Sequence, residues 1–313
     1  MDNKATVLII GAGGSVPFGF PTGQELKWAI CDGLAGIENV SASQTHFAQA
    51  LLKEGFLVED LVQLRDRLKK SAWSSVDEFL AEHNDLQTVG KAAIAAVLIP
   101  CENRGQLFDP RDSNGNRIDN WYQLLFKNVF APFQYITQKK VSIFTYNYEC
   151  SLETYLKETM KNSYAHPEKD IEIALKHIPI IHLHGEFDTT SVNLRKCSEK
   201  IKIVTDDLND SPQFDTVADA LWAAEEIYFI GFGYDEKNLA RLPIESKYPP
   251  YSVGGRRGES RPRLKIFGSG YKLPPGISDR VKNYFKSKGF QIQLGAPDVD
   301  AFQFLRTTIR FGS

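Results

Sequence analysis

Apolar residues along this chain fall into two rhythms. Six short runs are almost continuously apolar: residues 5–10 (ATVLII), 140–145 (KVSIFT), 178–183 (IPIIHL), 227–231 (IYFIG), 264–267 (LKIF) and 290–294 (FQIQL). Such runs predict strands buried on both faces, the kind found in parallel sheets. Between most of them apolar residues recur at helical spacing, as over residues 151–160 and 217–226. Strands alternating with helices predict an α/β fold with a doubly wound, mainly parallel sheet.

One long stretch breaks the alternation. Phe47, Leu51, Leu52, Leu57, Leu61, Leu64 and Leu68 keep helical spacing, and Ser75-Val76-Asp77-Glu78 has the layout of a capping box before Phe79 and Leu80. Residues 91–99 are alanine-rich and apolar and predict a buried helix. Residues 102–120, rich in Asp, Asn, Gly and Arg, predict an exposed loop. Residues 121–135 are aromatic with a helical period, and Pro132 is a kink or a stop. No strand is evident there. The chain therefore divides into a Rossmann-like domain of residues 1–35 and 136–313 and a helical insert subdomain of residues 36–135.

Composition narrows the class. An apolar content of 42% over 313 residues is enough for a full core. A net charge of -2 supplies no global field towards nucleic acid or anionic membranes. Arg256, Arg257, Arg261 and Arg263 lie in the Pro/Gly/Arg-rich residues 247–263, which read as a mobile, solvated loop rather than a nucleic-acid patch. Cys31, Cys101, Cys150 and Cys197 include no Cys-x-x-Cys pair, so neither a zinc ribbon nor a disulfide framework is expected. No apolar stretch is long enough to span a bilayer, and the opening residues lack a signal-peptide layout. Together these features point to a soluble cytoplasmic protein.

Four segments carry candidate chemistry. Gly11-Ala12-Gly13-Gly14-Ser15 follows the first strand, and Gly19-Phe20-Pro21-Thr22 leads into a helix. Backbone amides in such a loop can cradle a pyrophosphate; an ordinary tight turn is the alternative, since Val16 stands where the dinucleotide fingerprint has its third glycine. Thr145-Tyr146-Asn147-Tyr148-Glu149 ends the second strand, where open α/β sheets bind ligands. There Asn147 could hold a ribose hydroxyl or a water, or it could cap the following helix. His182-Leu183-His184-Gly185-Glu186 ends the third strand. Two histidines on one face could hold a metal, but no third ligand is evident. The reading preferred is one interior His and one exposed at the strand end as a general base. Gly231-Phe232-Gly233-Tyr234-Asp235, with Asn238 beyond it, is a second glycine loop that suits a phosphate, a ribose or merely a turn.

In this order the four motifs resemble the SIR2 superfamily, and within it the bacterial SIR2-like NAD hydrolases of anti-phage defence. The resemblance covers most of the chain, including the insert around residues 75–102. It implies NAD as substrate and no metal. Gly11, Ala12, Gly13, Ser15, Pro21, Thr22, Glu149, Gly231, Gly233 and Asn238 would bind it, with Asn147 and His184 catalytic. The products would be nicotinamide and ADP-ribose. Glu149 and Glu186 stand where the family has Asp, and Gly233 where it has Ser. The Phe-Arg pair and the four-cysteine ribbon of deacylating sirtuins are missing. A deacylase or ADP-ribosyltransferase, a non-catalytic nucleotide-binding signalling module and, more remotely, a redox dehydrogenase are the other readings. A toxic NAD hydrolase must be held inactive until needed, which implies a regulatory or activating protein partner. The insert could gate the site or build a homo-oligomer.

Overall fold

A computed structural model describes residues 4–39, 45–102, 104–187, 193–203, 213–244 and 264–309; the arginine-rich loop lies outside them. Six parallel strands form one sheet: β1 (Thr6–Ile10), β2 (Val141–Thr145), β3 (Ile180–His182), β4 (Glu226–Ile230), β5 (Lys265–Gly268) and β6 (Ile292–Leu294). Their order is β3-β2-β1-β4-β5-β6, so the chain winds outwards first on one side of β1 and then on the other. This is the doubly wound α/β arrangement. All six expected strands are present, though β3 stops at His182, so His184 lies beyond the strand.

Alternation along β1 sorts its side chains to two cores. Leu8 and Ile10 join Ile143, Tyr228 and Ile230 on one face. Val7 and Ile9 join Phe144, Ile227 and Phe229 on the other. The register pairs Ile10 with both Thr145 and Ile230, and Thr145 with His182. The carboxyl ends of β1, β2, β3 and β4 therefore finish level. Strand order reverses between β1 and β4, the position where open sheets of this kind leave a crevice.

Residues between β1 and β2 are helical, including Gly23–Gly33, His46–Lys53, Val58–Lys70, Val76–Ala81 and Gln87–Leu98. Strand pairing there is limited, among the described residues, to an isolated Arg111–Arg117 bridge. The expected loop over residues 102–120 contains a short helix, Arg104–Phe108, whose Leu107 is buried. The periodic leucines Leu51, Leu61, Leu64 and Leu68 belong to one continuous core with the Leu8 face of the sheet. Lys27 is buried and donates to the carbonyls of Trp73 (2.7 Å) and Ser71 (3.1 Å), tying the first helix to the segment before the Ser75–Glu78 capping box. Trp121 Nε1 donates to the Gly14 carbonyl at 2.8 Å and steadies the loop after β1.

That loop and the one after β4 touch backbone to backbone. A Cβ on Gly231 (φ +57°) would lie 1.8 Å from the Gly14 nitrogen, and one on Gly13 would lie 2.8 Å from the Gly231 carbonyl. Gly231→Ala combines that collision with a left-handed backbone and is expected to cost at least about 2 kcal/mol in urea unfolding. Nothing lies within 4 Å of a Cβ on Gly233, so Gly233→Ala is expected to stay within about 0.5 kcal/mol of the parent. Equal losses in the two variants would show that the loops do not meet this closely.

Candidate active site

The first glycine loop spends most of its amides internally. Gly11 N donates to Ile230 O (3.0 Å), Gly13 N to Gly231 O (2.9 Å), Gly14 N to Gly11 O (2.9 Å) and Ser15 N to Ala12 O (3.0 Å). Two 3-10 turns, Ala12–Gly14 and Val16–Phe18, follow before the helix begins at Gly23. The simple strand, loop and helix expected from the sequence is thus more elaborate, and its glycines serve loop packing first. An anion would meet the Ala12 amide and the start of the Gly23–Gly33 helix, since Ala12 and Gly23 both line the cleft described below.

Glu149 organises the next layer. Its carboxylate is buried and accepts from Ser15 Oγ (2.5 Å), Asn147 Nδ2 (3.0 Å) and Ser151 N (2.7 Å). Burial raises the Glu149 pKa, and the bonds from Ser15 and Ser151 work against that rise. The longer side chain at a position where Asp was the family's residue thus reaches both the β1 loop and the helix after β2. Glu149, not Asn147, satisfies an amide at the start of the Ser151–Ser163 helix, so the capping role considered for Asn147 falls away. Asn147 Nδ2 donates to Ser15 Oγ (2.9 Å) as well as to Glu149. With the amide nitrogen committed to a carboxylate, Asn147 Oδ1 faces away from it, and it is buried with no hydrogen-bond partner.

The two histidines have opposite surroundings. His182 donates from Nδ1 to the Asn147 carbonyl (2.8 Å) and from Nε2 to Glu153 (2.7 Å). Burial disfavours its charge, but Glu153, the Asn147 carbonyl and Glu186 together outweigh burial and lift its pKa to about 9. His184 is 4% exposed, against the expectation of an exposed strand-end residue. Its ring meets Tyr146 edge-on, with centroids 4.9 Å apart. Burial, reinforced by the positive Arg241 and only partly opposed by Asn238, holds its pKa down to about 3. His184 is therefore neutral at ordinary pH, and its buried Nε2 has no hydrogen-bond partner. The two rings do not share a metal: Nε2 of His182 faces carboxylates, whereas His184 faces the cleft.

A cleft opens at the level strand ends. Of the sequence-derived candidates, Gly11, Ala12, Ser15, Pro21, Asn147, Glu149, His184, Gly233 and Asn238 line it. Gly13, Gly231 and Thr22 do not: the first two pack the loops together, and Thr22 caps its helix by accepting from Glu25 N (3.3 Å). Sequence reading passed over Asp77, Tyr148 and Asp235 as site residues, although all three also line the cleft. Asp77 reaches the cleft from the helical segment and accepts from the Tyr148 hydroxyl. Burial raises the Asp77 pKa and its bond from Tyr148 opposes the rise. The capping box at Ser75–Glu78 marked the local helix start, but nothing in the spacing indicated that Asp77 would face β2.

The sheet, with a crevice where its strand order reverses and two glycine loops beside it, is that of a doubly wound, Rossmann-like α/β protein. Residues 141–245 match the family model of the SIR2-like domain. The match begins at β2 and takes in Asn147, Glu149, His184, Gly231, Gly233 and Asn238. Domains of that family generally bind NAD and are enzymatic. No curated protein matches the chain. Among the described residues no helix is long and apolar enough to cross a membrane.

The neutrality of His184 has a consequence for stability. Below pH 6.5 an unfolded histidine takes up a proton that folded His184 refuses until about pH 3. Stability present above pH 6.5 is therefore lost on acidification, by about 1.4 kcal/mol per pH unit from this residue. His182 is shifted the other way, and its window lies between 6.5 and about 9. His184→Gln is expected to flatten the acid limb by that slope between pH 6 and 4 in urea unfolding. Parallel limbs in the two proteins would mean that His184 is not held neutral.

Proposed function

We propose that the chain is an NAD glycohydrolase that cleaves NAD to nicotinamide and ADP-ribose. The observation that carries this reading is that Asn147 Oδ1 and His184 Nε2, both buried without hydrogen-bond partners, belong to residues lining one cleft. Buried polar atoms left unsatisfied are costly, so their convergence points to a polar ligand that completes them. Residues 11–15 and 231–235 would flank the two halves of a dinucleotide.

In this reading the nicotinamide–ribose bond breaks with its electron pair leaving on nicotinamide, and water adds to the cationic ribose carbon. Asn147 Oδ1 accepts from the ribose hydroxyl or from the water and orients it. Neutral His184 takes the proton that the water releases. Its pKa of about 3 makes it a weak base, but water adding to a carbocation becomes far more acidic as the bond forms. A weak, dry, correctly placed imidazole is sufficient late in such a step. Buried Glu149, when ionised, holds Asn147 in place and adds negative charge near the developing cation. The role is that of a hydrolase, since no acyl-lysine segment enters the reading. An effector role in defence, the cytoplasm as its compartment and control by a protein partner belong to the same proposal.

The test is nicotinamide release from NAD by the purified chain, run beside Asn147→Ala and His184→Ala. Each substitution is expected to lower kcat by about 10²–10⁴-fold. Undiminished release in both variants would remove the assignment. Tight NAD binding without release, unchanged in His184→Ala, would instead favour a non-catalytic nucleotide-binding module.

A further inference from the structure

Beside the cleft, but not lining it, four side chains turn towards one point. Cys150 precedes the Ser151–Ser163 helix and Glu153 lies in its first turn. His182 ends β3, and Glu186 follows in the next turn. One ligand atom from each of Cys150, Glu153 and His182 lies within 4.8 Å of the others. Glu186 Oε2 is 3.7 Å from Cys150 Sγ and 3.8 Å from His182 Nε2. We propose that Cys150, Glu153, His182 and Glu186 form a site for a divalent transition-metal ion of the Zn²⁺ type.

The ligand chemistry suits a borderline-soft ion: one thiolate, one imidazole and two carboxylates. Metal–ligand bonds of about 2.0–2.3 Å at tetrahedral angles place neighbouring ligand atoms about 3.4 Å apart. The two contacts made by Glu186 are already near that separation, and the 2.7 Å contact between His182 and Glu153 would open slightly to admit the ion. Outer contacts fit as well. A ligating imidazole usually gives its second N–H to a carbonyl or carboxylate, and His182 Nδ1 donates to the Asn147 carbonyl. The ion pair of His182 with Glu153 accounts for two of the four groups. It does not account for Cys150 and Glu186 facing the same point, with the Glu102 carboxylate also bonded to the Cys150 amide at 3.2 Å. A dication would balance that excess of negative charge. On binding, the thiol and Nε2 protons pass to solvent and Cys150 becomes a thiolate ligand.

Such an ion would clamp the end of β3 to the start of the helix after β2. The residues between, Asn147 to Glu149, would be fixed from outside the cleft. The ligand pairs are Cys-x-x-Glu and His-x₃-Glu, so a search for paired cysteines passes over them.

The test uses the full chain stripped with a chelator and titrated with Co²⁺ alone, followed by absorption. One equivalent per chain is expected, with the ligand-field bands of a four-coordinate ion and a thiolate-to-cobalt charge-transfer band, both displaced by Zn²⁺. Cys150→Ser is expected to lose the charge-transfer band. Glu186→Gln, whose side chain is 47% exposed and so dispensable for folding, is expected to weaken Co²⁺ binding at least about tenfold with an unchanged far-ultraviolet circular dichroism spectrum. No stoichiometric binding by the parent would overturn the proposal. So would a charge-transfer band that survives Cys150→Ser, or an affinity unmoved by Glu186→Gln. None of these readouts depends on NAD turnover.

Discussion

A carboxylate buried between two strand ends has to be satisfied by hydrogen bonds, and the way Glu149 is satisfied sets the rest of the site. Ser15 comes from the loop after β1, Ser151 from the helix after β2, and Asn147 from the turn between β2 and that helix. Leaving a buried charge unpaired costs several kcal/mol, so these three donors are held to their positions. Their constraint passes outwards. Because both amide protons of Asn147 are taken, its carbonyl oxygen is left for something that enters the cleft. Because Ser15 is anchored, Ala12 stays at the cleft wall.

A second constraint holds the two glycine loops together. Gly13 and Gly231 share a backbone contact that no side chain would allow, and the loops at the β1 and β4 ends are therefore joined backbone to backbone. The cleft is thus built from backbone contacts on one side and from a buried polar network on the other. His184 completes it as a dry, neutral ring beyond the end of β3, while His182, one residue removed, is cationic and faces the opposite chemistry.

The strands and helices were legible because burial on both faces of a parallel sheet writes itself as apolar runs, and burial of one helix face in the shared core as periodic leucines. The capping box at Ser75–Glu78 was equally readable, since it is a local exchange of bonds. The motif residues Gly11, Ala12, Ser15, Asn147, His184 and Asn238 were also readable as candidates, and the fold brings them to one cleft. Long-range contacts left no such trace. The Ser15–Glu149 bond spans 134 residues, and the Asp77–Tyr148 contact spans 71. Gly13 and Gly231 looked like phosphate-binding glycines because local sequence cannot distinguish an approach to a ligand from an approach to another loop. The burial of His184 depends on Tyr146 and Tyr148 folding around it, which strand periodicity does not encode.

The central claim is spatial: one dinucleotide lies across the strand ends with its ribose between Asn147 and His184. A crystal structure of the full chain with ADP-ribose measures this directly. The result expected is a ribose with hydroxyl groups within hydrogen-bond reach of Asn147 Oδ1 and His184 Nε2, and phosphates beside Ala12. Electron density for the nucleotide anywhere else, or a ribose remote from both side chains, would end the reading.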